Sequence, residues 1–329
     1  MKHKKLIITL SIVGVVVLLL FSAIMVYFFG ASYPEFEKLA VKEFAIPGLD
    51  TKFVPQGLGF DEINQDFLVS GYMSDGTASR IYVVDKSSGE VEKYVSLVYE
   101  DKDYTLHAGG VAVYGNFVWV AGDKQVEVLS LAEIMTADNG DEVKIRNSYI
   151  TGNGADFVHI MDNKLVVGEF YKENKYETPA SHTVNLSNGK QNKALAYVYN
   201  IDTGEQLGFD ADVDYAISLP NQVQGMTISA ENEIILSTSY SIPSSKIYVF
   251  ENVLDVASED TINIGNDIVP LYILDDEVLI KTINAPAMSE EMVTVEGKSY
   301  LLFESACSKY RLVNRTRTKF VYSFEDFGE

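Results

Sequence analysis

Five places in this 329-residue chain set an oxygen-bearing or imidazole side chain just before, or at the start of, a run that alternates apolar and polar residues. They carry Gln56, His107, Asp156, Gln224 and the adjacent pair Glu290 and Glu291. At the far end of the next apolar run stand Tyr72, Glu169, Tyr171, Tyr240 and Glu304. Carboxylates and amides converging on one point could hold Ca²⁺, which takes about 6–8 oxygens. The set for such a metal is Asp156, Glu291, Gln56 and Gln224. Acid–base chemistry is the other option, with Glu291, Glu169 or His107 as the base, since imidazole titrates near neutral pH. A ligand site would draw on Gln56, His107, Asp156, Gln224, Glu290, Tyr72, Tyr240 and Glu304. For His107 the simpler role is a hydrogen bond that caps its loop.

Other chemistries lack their motifs. His3, His107, His159 and His182 are scattered, and there is no HxH, HExxH or CxxC to suggest zinc. No GxSxG, P-loop or helix-opening GxGxxG is present. The glycines of "TGNGAD" (Thr151–Asp156) and Gly109-Gly110 lead into apolar runs, so they read as tight turns and not as phosphate cradles. "DADVD" (Asp210–Asp214) begins like a calcium loop but lacks its Gly and Glu, which predicts an acidic surface loop. Cys307 is the only cysteine, which rules out an intramolecular disulfide and predicts a small buried residue.

The elements that must position these residues repeat. Runs starting at Pro55, Ala108, Ala155, Val223 and Glu290 each read as a strand, a tight polar turn and a second, more apolar strand. A third strand follows in each unit: "SRIYVVD", "KQVEVLSL", "ALAYVYN", "SKIYVFEN" and "TKFVYSFE". A fourth closes four of the five: "EKYVSL", "KIRNSYI", "YAISL" and "VLIKTI". The last unit has none, but "VKEFAI" (Val41–Ile46) precedes the first. Five four-strand units with a displaced closing strand predict an all-β, five-bladed β-propeller over residues 41–329. Its N-terminal strand completes the last blade and removes an open edge. A polar, water-filled tunnel is expected on the axis. Short helices are predicted at Val128–Met135 and Glu251–Ala257, and a polar loop between Glu169 and Ala194.

The N-terminus is of another kind. "MKHKK" precedes an uncharged apolar run from Leu6 through Phe29. That is long enough to span a bilayer, for which about 20 apolar residues suffice. Residues 1–5 read as a cytoplasmic stub, 6–29 as an uncleaved transmembrane signal anchor and 30–40 as a linker. The lysines hold the N-terminus inside, which sends the propeller out of the cytoplasm. Beyond them the chain carries 23 basic and 47 acidic residues, a charge of −24. Such a surface repels nucleic acid.

The repeat resembles the β-propeller superfamily. "VPQGLGF" followed by "SRIYVVDKSSGEV" resembles the first blade of plant-type glutaminyl cyclotransferases, and the match rests on Gln56-Gly57-Leu58. That resemblance implies inner carboxylates in later blades, yet blade two has Ala108-Gly109 where an acid would stand. Lactonase-type propellers are similar in outline and imply a central Ca²⁺, for which this chain offers Gln56, Asp156, Gln224 and Glu291. The expected protein is a membrane-anchored extracytoplasmic propeller that binds a small ligand or a protein partner on its tunnel face. The enzymatic alternative is a Ca²⁺-assisted hydrolase or lactonase, or a glutaminyl cyclotransferase-like enzyme.

Overall fold

The computed structural model describes residues 12–19, 21–22 and 31–328. Five four-stranded antiparallel sheets follow one another around a ring. Blade one runs inner to outer through Phe53–Asp61, Asp66–Met73, Arg80–Asp85 and Val91–Tyr99. Blade two comprises Val111–Tyr114, Phe117–Gly122, Gln125–Ser130 and Asn147–Ile150. Blade three uses Phe157–Met161, Lys164–Gly168, Ala194–Ile201 and Phe209–Leu219. Blade four uses Val223–Ile228, Ile234–Thr238, Ser245–Phe250 and Leu279–Ala285. Blade five takes Ser289–Val295, Lys298–Phe303 and Phe320–Phe324, and its outer strand is Val41–Ala45. That N-terminal strand pairs antiparallel with Phe320–Phe324, so the ring is closed by hydrogen bonds between the two ends of the propeller.

Burial follows from the alternation. Inward side chains of successive blades interlock, as Phe44, Phe53, Phe60, Phe67, Tyr82 and Tyr300 do between blades one and five. Trp119, Tyr199 and Phe209 do the same between blades two and three. Outer edges are covered as well. Glu142–Lys144 adds parallel to blade one, and a hairpin from blade four, Thr261–Ile264 with Asp267–Ile273, adds parallel to blade three. Both additions cover strand edges that would otherwise be open to pairing with other chains.

Several local expectations are revised. The helix expected at 128–135 is Leu131–Thr136, because Val128–Ser130 completes a strand and Ser130 caps the helix through its hydroxyl. At 251–257 only the 3₁₀ turn Val253–Asp255 forms. Asp210, Asp212 and Asp214 lie in the outer strand of blade three and not in a loop. The segment 30–40 contains a helix, Pro34–Leu39, whose buried Phe36 packs on Phe303, Tyr322 and Phe324. Residues 12–19 are helical and carry exposed Ile12, Val17 and Leu18. The rest of the expected anchor, at 6–11, 20 and 23–29, lies outside the described residues, as does the stub 1–5. Among the described residues no helix is long and apolar enough to cross a membrane.

The axis departs most from expectation. Among the described residues, inner strands of different blades approach closely there and are bridged by Glu291. Glycines let the inner strands meet backbone to backbone: a Cβ on Gly59 would stand 2.6 Å from the Val111 carbonyl, and one on Gly110 would stand 2.6 Å from the Val158 amide.

Candidate functional site

Three of the five inner strands begin with a β-bulge, and the bulged residues are the polar ones. The register shifts between Pro55 and Gly57, between Val223 and Gly225, and between Ser289 and Met292. Gln56, Gln224 and Glu290-Glu291 are therefore the extra residues. A bulge releases its residue from the ladder and re-aims the side chain. Here Gln56, Gln224 and Glu290 turn into a funnel of about 1260 Å³ that opens on one face of the ring. Asp156, His107, Tyr72, Glu169, Tyr240 and Glu304 line the same funnel. The structure thus gathers nine of the predicted residues around one cavity.

Glu291 is not among them, which corrects its assignment as base or metal ligand. It is 1% exposed, and its Oε2 accepts the backbone N–H of Leu58 at 2.7 Å and of Val111 at 2.8 Å. The Val158 amide also acts on this carboxylate. Burial pushes its pKa well above the usual range, and the three amides oppose that rise. Glu291 joins blade five to blades one, two and three. Two amides occupy its Oε2, and the side chain does not line the funnel.

Glu169 is occupied too. Its carboxylate accepts from Gly154 N at 3.2 Å and Leu195 N at 2.9 Å, and it meets His182 Nδ1 at 2.8 Å. His182 Nε2 lies 3.0 Å from the Tyr197 hydroxyl. This chain fastens the long blade-three connection to its blade, a restraining role in place of the expected base. Tyr171 is buried beneath the same loop and does not line the funnel. His159 is buried in the inner strand, and burial alone pushes its pKa down to about 4.

The chemistry gathers at the funnel floor. Gln56 Nε2 donates to Glu304 Oε2 at 2.8 Å and to the Pro55 carbonyl at 2.8 Å. Glu304 and Glu290 lie close enough for each carboxyl to act on the ionisation of the other. Burial pushes Glu304 up to about 8, against the pull of Gln56 and Lys309. Glu290 is also raised well above its usual value, first by burial and then by the Glu304 charge. Its Oε1 has no hydrogen-bond partner among the described residues. On the opposite side Asp156 faces the open funnel and accepts the Phe170 N–H at 2.6 Å. Desolvation, with Glu169 and Asp123 nearby, pushes it up to about 7.

The walls are aromatic. Tyr72 stacks on His107 with centroids 4.6 Å apart, and desolvation keeps that imidazole below its usual pKa. Tyr72 accepts from Lys309 Nζ at 2.6 Å and lies 3.3 Å from the Tyr310 hydroxyl. Across the funnel Phe170 packs on Tyr176 and Tyr240, with Lys175 over both tyrosines. Gln224 donates to Ser239 at 3.4 Å. Sequence reasoning missed Lys309, Tyr310, Lys175, Tyr176 and Asp123. Four of these five sit on the two long connections after second strands, in blades three and five. Connection length was the signal available, since loops of that size inside a compact domain are commonly functional.

The fold and site define a five-bladed β-propeller with a one-sided acidic funnel. No protein-family profile matches the chain, and no curated protein matches it. Among solved structures it is similar to glutaminyl cyclase from Myxococcus xanthus, at 9% identity and TM-score 0.45, covering 87% of this chain and 92% of that one. It is similar to the PQQ-bound aldose sugar dehydrogenase of Streptomyces coelicolor, at 12% identity and TM-score 0.45, covering 89% and 99%. It is also similar to the calcium-binding protein regucalcin of Agrobacterium tumefaciens, at 9% identity and TM-score 0.43, covering 86% and 93%.

Proposed function

We propose that this chain is an extracytoplasmic propeller, anchored through its N-terminal apolar segment, whose funnel binds a small ligand or chain end bearing a protonated amine. The carrying observation is the Gln56–Glu304–Glu290 floor: two buried, mutually interacting carboxyls, one of them held by an amide, line an open cavity. An ammonium group placed there displaces the protons that burial holds on these carboxyls and pairs with both carboxylates. Aromatic faces around a cationic ligand add to this, since a cation over an aromatic ring is attracted by its quadrupole. The exposed apolar side chains at 12–19 support the anchor.

The raised pKa of Glu304, beside Glu290, favours one enzymatic reading as well. A carboxyl with a pKa near 8 can accept a proton from an attacking amine and deliver it to a leaving group. Cyclisation of an N-terminal glutaminyl residue has that balance: the amine nitrogen bonds the side-chain carbonyl carbon, the carbon–nitrogen bond to the amide breaks, and ammonia leaves with the transferred proton. Glu304 or Glu290 would move that proton, and Gln56 would hold the dyad in place.

Calorimetric titration of the purified full chain in detergent tests the binding reading. A glutaminyl dipeptide with a free amine should bind, its N-acetylated form should bind at least tenfold more weakly, and Glu304→Gln should abolish the difference. Equal affinity for both peptides, or binding by neither, refutes it. Ammonia release from the free-amine peptide tests the enzymatic reading, and its absence leaves binding alone.

A further inference from the structure

A second acidic cluster lies away from the funnel, at the end of blade one, and its position follows from strand register. Asp61 pairs with Asp66 across the first two strands, and Asp66 pairs with Asp85 across the second and third. Three aspartates thus stand in a row across three strands, an arrangement in which directly opposed like charges destabilise the sheet. Asp61 is satisfied locally by Ile63 N and the Asn64 side chain. Asp85 Oδ1 is taken by Ser87 and Ser88, which leaves Oδ2.

Asp66 is different. It is 4% exposed, and among the described residues its carboxylate makes no hydrogen bond or ion pair. Its carboxylate is aimed at those of Asp85 and Glu92, and one oxygen from each of the three lies within 4.8 Å of the others. Lys93 is the nearby cation, but its Nζ is held by the carbonyls of Met135 and Ala137. Lys86 is drawn to Glu296 at 2.6 Å. Without a counter-charge, burial and its acidic neighbours push Asp66 up to about 6. Leaving a buried carboxylate unpaired is costly.

We infer that Asp66, Asp85 and Glu92 form a Ca²⁺ site that pins the outer strands of blade one together. Oxygen-only ligands from a buried strand position, a turn and an exposed strand residue suit a large, hard cation with flexible coordination. Mg²⁺, at about 2.1 Å from its ligands, demands a tighter and more regular octahedron. Solvent and nearby carbonyls complete the shell. The site is independent of the funnel and of the reading proposed for it.

Calcium chloride added to the full chain in detergent is the probe, followed by melting temperature and titration calorimetry, with magnesium chloride in parallel. Calcium should raise the melting temperature, because an ion that binds only the folded form stabilises it. Magnesium should raise it less. Asp66→Asn and, separately, the exposed-site variant Glu92→Gln should each weaken calcium binding at least tenfold, while Glu304→Gln should leave it unchanged. Glu92→Gln carries the test if Asp66→Asn fails to fold. No calcium binding into the millimolar range overturns the inference. So does binding that survives Glu92→Gln, or binding that Glu304→Gln removes, which would place the ion in the funnel.

Discussion

Glu291 in blade five accepts the backbone N–H of Val111 in blade two at 2.8 Å, across the axis and 180 residues apart in sequence. The same oxygen accepts Leu58 N of blade one. One buried carboxylate therefore satisfies inner-strand amides of neighbouring blades that have no ladder partner on the axial side. Glu291→Ala should destabilise the ring by about 3 kcal/mol or more, since each buried amide left unsatisfied costs about 1–3 kcal/mol. Urea denaturation measures this. A change under about 0.5 kcal/mol would show that the axis closes without the carboxylate.

Gly110 faces that same group. A Cβ there would collide with Glu291 Oε1 and with the backbone at Val158 and Phe157. Gly110→Ala should cost about 1–3 kcal/mol through overpacking. Ser87→Ala, at an exposed turn, should cost less in the same assay.

The Glu304 dyad sets a pH dependence with a definite sign. Its folded pKa is about 8 against an ordinary 4.5, so the folded state holds a proton that the unfolded chain has lost. The contribution to stability is fully present below about 4.5 and is lost as pH rises through about 8. Asp156, pushed up to about 7, acts in the same direction. Melting temperature should therefore fall from pH 5 to pH 8.5, and Glu304→Gln should flatten that slope. An identical slope in the variant would mean that Glu304 titrates normally.

His182 tethers the blade-three connection by linking Glu169 to Tyr197. His182→Ala should free that loop while leaving the sheets intact. Limited proteolysis should then cut between residues 172 and 193 at least tenfold faster than in the wild type. The circular dichroism of the two proteins should match. Unchanged cleavage would mean that the loop is held by its other contacts, such as Thr178 on the Lys193 carbonyl.

Much of the ring was legible before any coordinates. Strand alternation, turn residues and the displaced closing strand are local or repeated signals, and all five blades and their closure appear where they point. The polar residues at the inner-strand starts were legible as well, because the repeat aligns Gln56, Asp156, Gln224 and Glu291. Which of two adjacent glutamates faces the ligand was not. Glu290 reaches the funnel and Glu291 the axis because of a bulge in blade five, and a bulge leaves no trace in hydrophobic period.

The sequence by itself determined the blade number, the order of strands and the ring closure, since each depends on patterns a few residues long that recur along the chain. Only the tertiary structure decided that Glu291 bridges the inner strands of other blades, that Glu290 and Glu304 meet at the funnel floor, and that Lys309 and Tyr310 reach Tyr72. It also decided that Asp66 stands between Asp61 and Asp85. Those relations depend on register, bulges and the path of aperiodic loops. They bring together residues from different strands and blades, whose distances the linear pattern does not encode.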